Sequence, residues 1–174
     1  MRPAVERAKL ALLVFLAAVL QVTTFNSVEL LGGTFDVLLV TLVVIALARG
    51  AVAGAALGFF GGLVVDTATL GTLGVSSLLL TLVGYWIGRY GETTGRGRAQ
   101  ALFASVAAAT IAYGAAGLGL HAVLGEEVSV RRVLLEWLPP TVVLSLVIAA
   151  PLRALVNRAL RPQPASALTI NPIG

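Results

Sequence analysis

Six long apolar runs, separated by short stretches that hold nearly all the charge, constrain this chain more than any other feature. They are Ala8–Phe25, Phe35–Ala48, Ala51–Val65, Leu73–Tyr90, Ala99–Leu124 and Pro139–Val156. A helix that crosses the hydrocarbon core needs about 20 residues, with a range of about 17–25. The first, fourth, fifth and sixth runs meet that, and the second and third are short. None alternates apolar and polar residues as the strands of a membrane barrel would, so the runs are helices. Charged residues are 11% of the chain and hydrophobic ones 58%, whereas a soluble domain carries about a quarter charged residues. The expected fold is all-α: a polytopic membrane protein with six transmembrane helices in one domain, residues 1–161. The tail 162–174, "PQPASALTINPIG", holds three prolines and no charge, and reads as a disordered cytoplasmic end.

The basic residues set the orientation. With the N-terminus in the cytoplasm, Arg2, Arg7, Lys9, Arg49, Arg89, Arg96, Arg98, Arg153, Arg158 and Arg161 fall inside, and only Arg131 and Arg132 fall outside. This is the bias that orients membrane proteins. The acids mirror it, with Glu6 and Glu92 inside and Glu29, Asp36, Asp66, Glu126, Glu127 and Glu136 outside or near the outer boundary. Removing one helix would scramble the partition, so both termini are expected in the cytoplasm and the chain in the cytoplasmic membrane. The basic first turn resembles that of a signal peptide, but the apolar stretch is long and no small-x-small site follows "QVTTFNS", so it reads as an uncleaved span. A pI near 10.3 raises nucleic acid as a partner, but the basic residues lie between helices and serve topology instead. With no cysteine and one histidine, thiolate metal sites and disulfides are excluded, and no cofactor is expected.

The third run carries glycine at 50, 54, 58 and 62, and the same four-residue step then lands on Asp66. Glycines at i, i+4 let another helix approach closely, and packing is what drives association between lipid-solvated helices. The partner is either a helix of this chain or one of another protein; Gly84 and Gly88 in the fourth run make a natural internal match to Gly54, Gly58 and Gly62. The second and third runs form a hairpin turning at Arg49-Gly50. Asp36 and Asp66 lie about 20 and 24 Å along their helices from that turn, so they are expected near each other on the outer side. Beside them runs "TATLGTLGVSS", where Ser76 or Ser77 is a candidate cap for the fourth helix. Two readings stay open. Asp66 fixes the geometry of this loop, or Asp36 and Asp66 with Thr67, Gly71 and Gly74 form a polar socket for a partner segment or small ligand. Two carboxylates at reduced dielectric repel, so one holds a proton or both accept hydrogen bonds.

Residues 126–138, "EEVSVRRVLLEWL", read as an amphipathic helix on the outer leaflet with Trp137 at headgroup level. Pro139 and Pro140 open the sixth helix, where missing amide hydrogens cost little, and Pro151 is expected to kink its cytoplasmic end. No catalytic constellation is visible: there is no HExxH, no P-loop and no Ser/His/Asp set. His121 reads as an interfacial residue, and the adjacent Glu126 and Glu127 point apart on a helix. No enzymatic activity is expected.

The order of motifs resembles a known family. A first helix with "VLQVTTF" is followed by "LLGGTFDVLLV", "GAALGFFGGLVVD" and "LGTLGVSSLLLTLVGYWIGR". From about residue 10 to residue 90 this is similar to MreD, the bacterial rod shape-determining membrane protein family. The family usually has Pro-Asp where this chain has Phe35-Asp36, and often Pro-Leu-Gly where it has Thr72-Leu73-Gly74. The resemblance implies a non-enzymatic part of the cell-elongation machinery. Its implied partners are the lipid bilayer, an MreC-like protein, the RodA and penicillin-binding-protein synthases and, indirectly, MreB. It also implies a fold like that of the vitamin-binding S-components of energy-coupling-factor transporters. A small-molecule-binding transporter subunit is therefore the alternative function, for which the outer halves offer few polar or aromatic groups.

Overall fold

The helices pack around one that is apolar on every side. The computed structural model describes residues 2–25, 36–70, 72–94, 99–123 and 138–159. Six α-helices lie within them: α1 (Arg2–Leu20), α2 (Val37–Arg49), α3 (Ala51–Thr69), α4 (Val75–Thr94), α5 (Ala99–Val123) and α6 (Leu138–Ala159). A short π-helical turn, Gln21–Phe25, extends α1. α2 touches each of the other five, and α1, α3, α4, α5 and α6 follow one another around it in an arc. Ten consecutive residues of α2, Val37 to Ala46, are buried, as expected of a helix that is hydrophobic all round. This accounts for its 13 residues: a helix enclosed by protein need not match the bilayer in length.

Among the described residues, α3, α5 and α6 are long and apolar enough to cross a membrane, and α2 is a shorter apolar helix. The boundaries differ from the apolar runs in instructive ways. The third helix does not stop at Val65 but continues to Thr69, because Thr67 and Thr69 turn their hydroxyls back onto the carbonyls of Leu63, Val64 and Val65. Polar residues that satisfy themselves on the preceding turn need not end a helix. Asp66 is therefore inside α3, one turn before its end. α1 incorporates the charged residues Arg2, Glu6, Arg7 and Lys9, so it is less apolar than its run. Pro151 sits within a continuous α6. The amphipathic segment expected over 126–138 lies outside the described residues except for Leu138, which begins α6, and so does the tail 162–174.

The closest backbone approach is between α3 and α4, which run antiparallel. A methyl built on Gly54 would fall under 3.0 Å from the carbonyl of Gly84, one on Gly58 from that of Leu80, and one on Gly62 from the backbone of Ser77. The reverse holds for Gly84 against Gly54 and Gly88 against Gly50. The pairs 50/88, 54/84 and 58/80 share one antiparallel register, each step of four on one helix matched by four on the other. Gly61 and Gly91 extend the small-residue contacts, against Val14 and Leu38 and against Leu47 respectively.

Replacing Gly58 by leucine should displace α4 and lower the melting temperature in detergent, since forcing bulk into a packed contact costs about 1–3 kcal/mol. Gly117, with nothing within 4 Å of an added methyl, is the control. Gly117→Ala should be neutral or stabilising by up to about 1 kcal/mol through helix propensity. A Gly58→Leu protein that melts like wild type would remove the close contact.

Candidate functional site

Three helices begin inside the bundle, and each has its first amides satisfied by a side chain from elsewhere. A helix N-terminus leaves up to four amides without intrahelical partners, and where protein encloses that end the acceptors must come from the protein itself. For α4 the acceptor is Asp66 of α3. Its Oδ2 accepts from the amides of Gly74 at 2.8 Å and Ser77 at 3.2 Å, and its Oδ1 from Ser76 at 3.1 Å. The Val75 amide turns instead to the Thr72 carbonyl at 3.3 Å. Asp66 is 3% exposed. Its carboxylate is thus a cap supplied across the helix contact, placed where the positive end of the α4 dipole favours a negative charge.

Neither candidate serine is the cap of α4. Ser77 sends its hydroxyl to the Phe59 carbonyl at 3.1 Å, a bond from α4 to α3. Gly74 has φ +95°, like the turn glycine Gly50 at +93°, a positive φ that glycine adopts without strain. Thr67 spends its hydroxyl within α3. Gly71 lies outside the described residues.

The α2 start uses two acceptors. Asp36 is its N-cap, with Oδ1 accepting from the Leu39 amide at 3.0 Å. The Val37 amide donates to the side-chain carbonyl of Gln21 at 2.8 Å, across from the turn that ends α1. Tyr113 of α5 lies near both acids, with its phenol beside the Ser76 side chain.

At the opposite end, the Ala51 amide that begins α3 donates to Oε1 of Glu92 at 2.9 Å. Glu92 Oε2 takes Arg89 at 3.3 Å. Next to it Arg49, closing α2, forms an ion pair with Glu6 of α1. Both lie outside the apolar runs, and the hydrogen bond from Arg49 holds the Glu6 carboxyl below its ordinary range.

Sequence reasoning missed Gln21, Glu92 and Tyr113 as participants. For Glu92 a signal existed. Gly84, Gly88 and Glu92 step by four to a carboxylate just as Gly54, Gly58, Gly62 and Asp66 do. Two antiparallel helices with that pattern place each acid beside the other's N-terminus. Tyr113 carried a weaker signal, a lone phenol in an alanine-rich run. Gln21, Asp36 and Asp66 thus serve helix starts, and among the described residues no group of three acids or histidines is arranged to hold a metal.

Such a bundle, with long apolar helices and helix starts sealed by internal acceptors, defines a helical membrane protein. A family model for the rod shape-determining protein MreD matches residues 4–161. The chain belongs to the MreD family, and that membership implies a role in determining rod shape. No curated protein and no solved structure matches it.

The two caps predict different responses to amide substitution. Asp66 accepts through both oxygens, so Asp66→Asn sets an amide NH2 against a backbone donor. That should destabilise by about 1–3 kcal/mol. Glu92 gives one oxygen to Ala51, which Gln also supplies, so Glu92→Gln should melt within about 1 kcal/mol of wild type, the charge it loses being paired at an exposed site. Thermal denaturation of both in one detergent checks this. Equal effects would contradict the bonding described.

Proposed function

We propose that this chain is a non-enzymatic component of the bacterial cell-elongation machinery, acting with an MreC-like protein and the RodA and penicillin-binding-protein synthases, and through them with MreB. The observation that carries the reading is the family match over residues 4–161. It spans every described helix up to its last residue but for the first two positions of α1. We further propose six spans in the cytoplasmic membrane, with both termini in the cytoplasm, one domain over residues 1–161 and a disordered cytoplasmic tail beyond. The ten-to-two partition of basic residues supports that orientation. The Arg49, Glu6, Arg89 and Glu92 end of the bundle then faces the cytoplasm, and the Gln21, Asp36, Asp66 and Tyr113 end faces outward. An S-component-like arrangement of the helices is expected on the family resemblance alone.

The part played by the bundle is that of a scaffold. Gln21, Asp36, Asp66 and Glu92 are bonded to its own helix starts, and Glu6 and Glu92 to neighbouring arginines, which suits a protein that presents a fixed surface to partners. The socket of Asp36, Asp66, Thr67, Gly71 and Gly74 is kept in its structural form: Asp66 fixes the start of α4, and partner binding at this end depends on that geometry.

Co-purification from membranes in mild detergent tests the function. An MreC-like protein and elongation synthases should come down with the wild-type chain, and recovery of transporter ATPase subunits instead would contradict it. Since the chain has no cysteine, single cysteines at Thr94 and Gly125 test the topology. Only the second should react with an impermeant reagent in intact cells.

A further inference from the structure

The outward face of α4 changes character along its length. Leu78 and Leu82 are followed by Tyr85 and Trp86, then by Arg89 and Tyr90, all exposed. The spacing of three and four residues puts them on one stripe, opposite the glycines that meet α3. Trp86 is the most exposed of the aromatic residues there, at 66%, and its ring meets that of Tyr85 edge-on, with centroids 5.8 Å apart and an interplanar angle of 81°. Arg89 lies one turn further on, its side chain 62% exposed. Its contact with Glu92 uses a single nitrogen, whereas a guanidinium carries five donors.

We propose that this end of α4 holds the headgroup of an anionic phospholipid, with its phosphate on Arg89 and its glycerol region against Tyr85, Trp86 and Tyr90. The sequence of groups, aliphatic then aromatic then cationic, follows the layers of a leaflet from acyl chains through the interface to the phosphates, and amphipathic rings settle at that middle level. A docked transmembrane helix would favour small residues at the contact, and this face is built of leucine, tyrosine and tryptophan. Charge favours an acidic lipid over a neutral one. A basic side chain near an anionic surface gains about 1 kcal/mol, or roughly a fivefold preference. The leaflet is the inner one on the topology proposed above, and the lipid contact itself rests on α4 being a span.

The full-length chain with Trp137→Phe leaves Trp86 as the single tryptophan, since the chain has two. Reconstituted into vesicles, it is titrated with lipid brominated in the acyl chain, either phosphatidylglycerol or phosphatidylcholine, and Trp86 fluorescence is read. Phosphatidylglycerol should quench with about fivefold higher association. Arg89→Gln should abolish the preference, Arg89→Lys should keep it, and raised salt should weaken it. Arg89 is exposed, so both variants should fold as the parent does by circular dichroism. Equal quenching by the two lipids, or a preference unchanged in Arg89→Gln, would overturn the headgroup site while leaving α4 as a span. Absence of quenching by either lipid would overturn it too, and would show in addition that protein covers this face of α4.

Discussion

The contact between α3 and α4 is the constraint on which the rest of the bundle depends. Two helices this close have no side chains between them over much of their length, so carbonyls and α-carbons meet directly. Such packing gains dispersion energy only while the register is kept, and a slip of one residue would bring a leucine or phenylalanine into the gap. The carboxylates at the two ends hold that register. Asp66 is bonded to the first amides of α4, and Glu92 to the first amide of α3. The arrangement is nearly reciprocal, each helix ending its glycine track in an acid that caps the other.

The same logic extends inward to α2. It is short because it is enclosed, and it tolerates being short because its ends find partners within the protein: Gln21 and its own Asp36 at one end, and the Arg49–Glu6 pair at the other. The arc of helices thus packs around a core of leucine, valine and isoleucine, and the starts of α2, α3 and α4 find acceptors within the protein. The faces of the surrounding helices turned away from α2 carry exposed leucine, phenylalanine, tyrosine and tryptophan.

Much of this was legible in the sequence, for stated physical reasons. Apolar runs and the distribution of arginine point to helices and their number, because the bilayer imposes both. The glycine step of four pointed to a close helix contact and even to Gly84 and Gly88 as its other side. The length of the third helix was misread, since Thr67 and Thr69 look like loop residues until their hydroxyls are seen to bond one turn back. The role of Asp66 was half visible: its place near a helix end beside a loop suggested local structure, while the three amides it receives depend on a register that composition does not reveal. Glu92 was read only as a cytoplasmic charge, although its spacing from Gly84 and Gly88 carried the same message. Tyr113 and Gln21 needed the fold, because their partners lie on other helices with no periodic relation to them.

The most direct measurement of the central contact is carbon–carbon correlation by magic-angle-spinning NMR on the glycine-labelled protein in lipid bilayers. The account predicts cross-peaks between Gly54 and Gly84 and between Gly50 and Gly88, in the antiparallel register, with no side-chain carbons of another helix interposed. Gly54 and Gly84 that instead correlate with lipid acyl chains, and not with each other, would contradict it.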